Sequence, residues 1–420
     1  MGRRVTACRT CGSTDLERYL DLGQTPPADQ FRRADQLGGP SVHFPLEVYA
    51  CMRCGLSQLG YVVAPEILYQ DEYPYEASTT QAGRHHFRAF AASVARRYGI
   101  GSEDLVVDIG SNVGVLLSGF ADEGTRVLGI DPAHNIAAIA NERGIPTVAD
   151  FFGPAVVSRV VRDHGQASVI CGTNVFAHVD DLETFMRAVD ALMAPQGMFI
   201  FEVPYFANLL TSLEYDTIYH EHLSYVSVKP LVPFFARFGM QIFDIREVDI
   251  HGGSFRIFVD RGVRPADGAL IDGFLAREER EGAHDLARLR RFAGQVSENR
   301  AQLTELLRDL RARGKRIAGV SAPAKGMTLL NYCRLGTETL DFVTEKSRLK
   351  IGRYTPGTHI PVVPDAELLA ERPDYALLLA WNFADEIMAN LREYRAAGGQ
   401  FIIPIPSPRI VGSRERVIAA

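Results

Sequence analysis

Four consecutive residues, Tyr219-His220-Glu221-His222, put a phenol, two imidazoles and a carboxylate at one place in the chain. That inventory suits removal of a proton from carbon, or metal ligation. The four sit inside EVPYFANLLTSLEYDTIYHEHLSY (Glu202 to Tyr225), which ends a strongly apolar run, MFIFEVPYF. A metal held by His220 and His222 would lack further nearby ligands, so proton transfer is the better reading.

A second chemistry is written in the cysteines. Cys8-Arg9-Thr10-Cys11-Gly12 and Cys51-Met52-Arg53-Cys54-Gly55 are two CxxC turns, each closed by a glycine. Cys8, Cys11, Cys51 and Cys54 together supply four thiolates, the ligand set of a structural tetrahedral zinc that folds a small N-terminal lobe. The long gap from Cys11 to Cys51 has room for a loop and a strand at Phe44–Ala50. The remaining two, Cys171 and Cys333, are isolated in apolar surroundings, which indicates a reducing compartment and no disulfide framework.

A third signal is Leu105-Val-Val-Asp108-Ile109-Gly110-Ser111-Asn112-Val113-Gly114, an apolar strand and a glycine-bearing turn leading into a helix from Val115. The following strand, Arg126–Ile130, ends at Asp131, placed to accept hydrogen bonds from ribose hydroxyls in a doubly wound sheet. A dinucleotide loop needs glycine at three positions so that backbone can approach a pyrophosphate. Here Asn112 occupies the middle one, which suits a ligand without phosphate.

These motifs need scaffolds, and 420 residues are enough for two or three domains. Hydrophobic residues make up 46% and charged residues 23%, an ordinary globular composition. The net charge of −6 argues against nucleic acid or an anionic membrane as the main partner, since a phosphate surface calls for surplus Lys and Arg. Apolar runs stay short of the roughly 18 residues of a membrane span, and the expected location is cytoplasmic.

Along the chain, a tyrosine-rich linker with Tyr73 and Tyr75 leads into a helix over Thr80–Tyr98. These two tyrosines are read either as loop packing or as ligand contacts. Further strands are expected at Thr147–Asp150, Ala167–Cys171 and Met198–Val203, with a helix at Asp181–Met193 before the last. Strand-like stretches at Leu223–Val228, Gln241–Ile245 and His251–Phe258 follow. One or two long helices span Asp267–Ala312. A second α/β unit begins at strand Arg316–Val320, turns at Ser321-Ala-Pro-Ala-Lys325-Gly326 into helix Met327–Cys333, and continues with strands at Thr339–Val343, Tyr375–Ala380 and Gln400–Pro404. The Lys325 turn could hold a phosphate. Lys350-Ile-Gly-Arg353-Tyr354-Thr-Pro-Gly-Thr358-His359 reads as a binding loop framed by Pro and Gly.

The glycine loop VDIGSNVG, Asp131 and the fourth-strand segment GTNVFAHV, taken in register, resemble a class I S-adenosylmethionine-dependent methyltransferase. That resemblance implies cofactor contacts from Asp108, Gly110, Ser111, Asn112, Gly114 and Asp131, from Asp150 and Phe151 at the adenine, and from Asn174. The whole chain, through its CxxC pairs, NVFAHV, IYHEH, SAPAKG with NYC, and GRYTPGTHIPV, resembles the zinc-containing sugar C-methyltransferases that act at C3 of nucleotide-linked 4-keto-6-deoxyhexoses in deoxysugar biosynthesis.

The resemblance implies an α/β fold in three parts: an N-terminal zinc-binding lobe, a class I methyltransferase Rossmann-like domain and a C-terminal Rossmann-like domain. The expected boundaries are 1–70 for the zinc lobe, 71–205 for the methyltransferase domain, 206–312 for an active-site segment with bridging helices, and 313–420 for nucleotide-sugar binding. The cofactors are S-adenosylmethionine and a structural Zn2+. The partner is a nucleotide-diphosphate ketosugar, and the chain acts as a monomer or homodimer. His222 is the implied base, with Glu221 tuning it, Tyr219 and His178 contacting the keto-sugar or its enolate, and Tyr73 or Tyr75 closing the site. Lys325, Arg353 and Tyr354 are implied at the substrate phosphates. The family often has Asp or Asn where this chain has His220, so which imidazole is the base stays open. An O- or N-methyltransferase, or a zinc-ribbon adaptor without catalysis, are the alternatives.

Overall fold

Two strands, β1 (Leu16–Thr25) and β2 (Phe44–Cys51), fill the interval between the cysteine turns. A strand was expected only over Phe44–Ala50. The stretch Leu16–Thr25 alternates buried and exposed residues too irregularly to be recognised from pattern. With β3 (Ser57–Leu59) and a short strand β9 (Ser224–Tyr225) they form a sheet of order β9-β3-β2-β1. The computed structural model describes residues 2–69, 74, 81–249 and 253–412. Tyr73 and Tyr75 lie outside these described residues.

By internal contacts the chain divides into two units. The first comprises Met1–Arg18, Val48–Asn208 and Glu221–Leu286, and the second Tyr19–Glu47, Leu209–His220 and Ala287–Ala420.

In the first unit, α1 (Gln81–Tyr98) precedes the core strands β4 (Leu105–Ile109), β5 (Arg126–Asp131), β6 (Thr147–Ala149), β7 (Ala167–Thr173) and β8 (Met193–Pro204). Two later strands, β10 (Gln241–Val248) and β11 (Ser254–Asp260), complete a seven-stranded sheet of order β10-β11-β8-β7-β4-β5-β6. The five strands from β4 to β8 pair in parallel, while β11 runs antiparallel between β8 and β10. All five residues of β4 are buried, as a strand covered by helices on both faces requires. Helix α2 (Val115–Asp122) follows the β4 turn, and α3 (Leu182–Leu192) starts at Asp181, whose Oδ1 accepts from the Thr184 amide at 3.0 Å.

The boundary expected at residue 205 falls inside this sheet. Strands β10 and β11 read from the sequence as part of an active-site segment, yet they hydrogen-bond onto β8 and continue its core. By internal contacts the zinc-binding turns fall in this unit. The pairing of Ser224 with Gln58 and of Tyr225 with Ser57 carries the reason, since ladder hydrogen bonds join strands far apart in sequence. The strand-like stretch Leu223–Val228 shrinks to these two residues because helix formation begins at Val228.

The helices over the expected 267–312 stretch are two, α4 (Gly268–Glu281) and α5 (Leu286–Ala312). Gly282 in the left-handed region ends the first. The second unit holds β12 (Ile317–Val320), α6 (Ala324–Cys333), β13 (Val343–Glu345), β14 (Val362–Pro364), β15 (Tyr375–Leu378), β16 (Gln400–Ile403) and β17 (Arg409–Val411). Sheet order is β14-β13-β12-β15-β16-β17, parallel except for β17. The strand expected from Thr339 begins at Val343, because the amides of Thr339 and Leu340 are spent closing a turn on the Gly336 carbonyl. The strand order reverses between β12 and β15, the switch point where open α/β sheets bind ligands at strand carboxyl ends.

Candidate active site

His178 and His222 come together in the first unit. His178 closes a single helical turn after β7, and its ring centroid lies 5.0 Å from that of His222. His178 is half-buried and its ring stacks on Tyr69, whose hydroxyl lies 3.3 Å from Nδ1. Nε2 of His178 is buried with no hydrogen-bond partner among the described residues. Burial first, and then the neighbouring His222, hold its pKa well below that of an ordinary imidazole. His178 is therefore neutral at physiological pH. His222 is half-buried, and Glu221 beside it is buried.

The glycine loop joins β4 to α2 at the carboxyl edge of the same sheet. Gly110, Asn112 and Gly114 all have positive φ (65°, 50° and 77°). A Cβ on Gly110 would meet Val175 Cγ2 at 2.5 Å, so the loop passes too close to the β7 turn for any side chain there. Asp131 accepts from the amides of Asn112 and Ala133, both at 2.9 Å. Burial raises its pKa against those two amides. Asp108, wholly buried, is pushed up to about 8 by burial and by Asp131, so at neutral pH its carboxyl is mostly protonated. Asp108 Oδ1 and Ser111 Oγ are buried without partners among the described residues. Unsatisfied acceptors and hydroxyls on a tight, phosphate-poor loop fit a polar, cationic nucleoside ligand such as S-adenosylmethionine. Asp150, at the end of β6, is ion-paired to Arg159 at 2.8 Å, and Phe151 next to it is half-buried.

Asn174, with φ 57°, ends β7 and donates its amide to the Glu202 carbonyl at 2.7 Å. Sequence reasoning missed what the Glu202 side chain does. Its Oε1 lies 2.7 Å from His86 Nε2 on α1, and its Oε2 accepts from Arg256 at 2.7 and 3.0 Å. Burial works to raise the Glu202 pKa, but His86 and Arg256 outweigh it and hold the carboxylate ionised. Arg256 also stacks 3.5 Å over the Phe90 ring. The MFIFEVPYF run gives only an isolated Glu in an apolar strand; that such a group must be paired is the one signal that could have prompted a search for its partners.

In the second unit, His220 is buried against the edge of the Phe44 ring, its Nε2 3.3 Å from the Phe44 carbonyl. Burial lowers its pKa to about 4. Tyr219 is half-buried, and the chain passes from the second unit into the first between His220 and Glu221. The β12 turn carries Lys325, whose ammonium lies 4.5 Å over the Trp381 ring and 4.0 Å from Asp216 Oδ2. The other claim on Asp216 Oδ2 is the Trp381 indole N–H at 2.7 Å. Lys325 Nζ and Asp216 Oδ1 are buried without hydrogen-bond partners among the described residues. Lys350 braces this turn, donating to the Ala322 carbonyl at 2.8 Å and pairing with Asp29 at 3.2 Å. Arg353 and Tyr354 are half-buried in the following loop, where Tyr354 exchanges backbone hydrogen bonds with Arg32.

Cys8, Cys11, Cys51 and Cys54 place their sulfurs within 4.8 Å of one another, with Cys8–Cys54 at 3.5 Å and Cys11–Cys51 at 3.6 Å. Four thiolates at Zn–S distances of about 2.3 Å require sulfur separations close to these. The turns match: the Gly12 amide donates to Cys8 O and the Gly55 amide to Cys51 O, each at 2.9 Å. Cys171 and Cys333 are buried elsewhere, where burial raises both thiols, Cys333 to about 12.

Three family models match the chain: a zinc binding domain over residues 8–69, a methyltransferase domain over 83–244 and a C-methyltransferase C-terminal domain over 249–406. C-methyltransferase NovU of Streptomyces niveus is 38% identical over 416 residues, 98% of this chain and 98% of that relative. Ubiquinone biosynthesis O-methyltransferase of Methylobacterium sp. (strain 4-46) is 36% identical over 98 residues, 22% of this chain and 38% of that protein. Among solved structures, an S-adenosylmethionine-dependent methyltransferase from Clostridium acetobutylicum ATCC 824 aligns at 12% identity and TM-score 0.35, over 42% of this chain and 91% of its own. At that score the structural likeness has no weight of its own. Among the described residues no helix is long and apolar enough to cross a membrane.

Proposed function

This chain belongs to the family of S-adenosylmethionine-dependent C-methyltransferases, and from that premise we propose that it methylates C3 of a nucleotide-linked 4-keto-6-deoxy sugar through an enolate. A C–H beside the C4 ketone is a weak acid. Methylating that carbon calls for a base to take the proton and for a donor to the enolate oxygen. The bound S-adenosylmethionine supplies an electrophilic methyl group. His222 takes the C3 proton, and Glu221 orients its ring. The pairing of a neutral His178 with His222 carries this reading. If the Tyr69 hydroxyl donates to Nδ1, the His178 proton sits on Nε2, the nitrogen without a partner among the described residues, and can be donated to the enolate oxygen. Tyr219 contacts the same sugar, as does Tyr73 or Tyr75.

In the second unit Lys325, Arg353 and Tyr354 hold the diphosphate. A buried ammonium with no hydrogen-bond partner among the described residues is costly, and a phosphate oxygen would relieve it. Such chemistry belongs to cytoplasmic biosynthesis. The test is to incubate the chain with methyl-labelled S-adenosylmethionine and a panel of thymidine- and guanosine-diphosphate 4-keto-6-deoxy sugars. The expected NMR spectrum shows the labelled methyl on the carbon next to the ketone. A methyl on oxygen or nitrogen, or no product across the panel, overturns the reading.

A further inference from the structure

The first cysteine turn carries a residue that the metal site does not use. Arg9 lies between the ligands Cys8 and Cys11, yet its side chain is only 2% exposed. Its backbone is held on both sides: its amide donates to Gln58 Oε1 at 3.0 Å, and Gln58 Nε2 donates to the Ala7 carbonyl at 3.2 Å. The guanidinium then reaches three further stretches of chain. Nη1 donates to the Leu59 carbonyl at 3.0 Å and to the Leu223 carbonyl at 3.2 Å, and Nε to Asp180 Oδ1 at 3.3 Å.

Those acceptors flank the histidine pair. Leu223 directly follows His222, and Asp180 is the second residue after His178. The Leu223 amide in turn donates to Ala177, the residue before His178, at 2.8 Å, and the Leu59 amide donates to Leu223 O at 2.9 Å. One guanidinium therefore holds the Leu223 carbonyl beside His222 and the Asp180 carboxylate two residues beyond His178, the two rings whose centroids lie 5.0 Å apart.

We propose that Arg9 is a positioning residue through which the metal-binding turn sets the spacing of His178 and His222. The four cysteines fix the Arg9 backbone, Arg9 fixes Leu223 and Asp180, and these fix the two imidazoles. A misplacement of about 1 Å at a reacting group can cost on the order of 100-fold in rate, so a turn that contributes no atom to the reaction controls it. The proposal rests on the assignment of the histidine pair to the reaction.

Its test uses the full chain carrying Arg9→Gln, Arg9→Lys and Asp180→Asn, with His222→Asn as the control for the pair itself. Zinc per chain, S-adenosylmethionine affinity, kcat, KM and the pH profile of kcat are measured, together with imidazole 15N NMR of His178 and His222. Arg9→Gln is expected to keep one zinc per chain and cofactor affinity within about 2-fold, while kcat falls about 10- to 100-fold, the acid limb of the profile moves and both imidazole signals shift. Arg9→Lys, which keeps the charge and loses the fork, should fall between. Unchanged kcat, pH profile and imidazole signals overturn the proposal. So does a loss of activity that only follows loss of zinc. Should Arg9→Gln fail to fold, Asp180→Asn, outside the cysteine turn, must show the same displacement of pH profile and signals; if it does not, the proposal is wrong. Should His222→Asn leave turnover intact, the histidine reading fails separately, whereas the NMR arm still reports whether Arg9 governs the ring geometry.

Discussion

The rings of His178 and His222 lie 5.0 Å apart with planes inclined by 37°. Burial of its ring nitrogen first, and then His222, hold the His178 pKa well below the usual range, so His178 stays neutral. We assign His222 as the proton acceptor and the neutral His178 as the hydrogen-bond donor.

His222→Asn is therefore expected to lower kcat by about 1,000-fold, within the range for loss of a general base, while changing S-adenosylmethionine affinity by less than about 2-fold. Single-turnover methyl transfer and calorimetry measure the two quantities. Turnover within 10-fold of the parent would move the base elsewhere.

His220→Gln should behave in the opposite way. The ring is buried against Phe44, bonded to its carbonyl and depressed to about pKa 4, which suits a structural histidine. Losing the hydrogen bond and edge packing should cost about 1–2 kcal/mol of stability, with kcat within about 3-fold of the parent. Denaturant unfolding and initial rates decide it; a collapse of kcat at unchanged stability would place His220 in the reaction.

Much of this was legible from local pattern. The parallel strands β4, β7 and β8 are continuous apolar runs because both faces are covered, and the glycine loop and CxxC turns announce themselves by residue type. Pairing across the fold was not legible. Nothing near Glu202 in sequence indicates that Arg256 pairs with it and that His86 hydrogen-bonds to it, and nothing near Cys8 indicates that the intervening arginine reaches Leu223. Strands β10 and β11 escaped assignment to the sheet for a related reason: an antiparallel return needs no crossover helix to mark it.

Glu214 provides a pH test of the second unit. Burial raises its pKa from 4.5 to about 8, with Lys325 opposing and Asp216 adding to the shift. A carboxyl raised on folding contributes stability that is complete below about pH 4.5 and is lost as pH rises through about 8. Glu214→Gln, neutral at every pH, should flatten the fall of Tm between pH 5 and 9 and raise Tm at pH 9 by about 2 °C. Calorimetric scans across that range would show it, and parallel curves for variant and parent would remove Glu214 from the pH response.

Lys325 sits between two demands. Asp216 Oδ2 at 4.0 Å and the Trp381 face at 4.5 Å stabilise its charge, yet Nζ has no hydrogen-bond partner among the described residues. We assign this group, at the switch point, a phosphate acceptor from the substrate. Lys325→Met should weaken binding of a nucleoside diphosphate at least 10-fold and leave S-adenosylmethionine affinity unchanged. It should also destabilise the chain, since Asp216, whose pKa burial already raises against the Lys325 charge, loses its counter-charge. The double variant Lys325→Met with Asp216→Asn removes that unpaired carboxylate, so stability should return while diphosphate affinity does not. Recovery of both would mean that Lys325 serves Asp216 alone, and that the phosphates are held elsewhere.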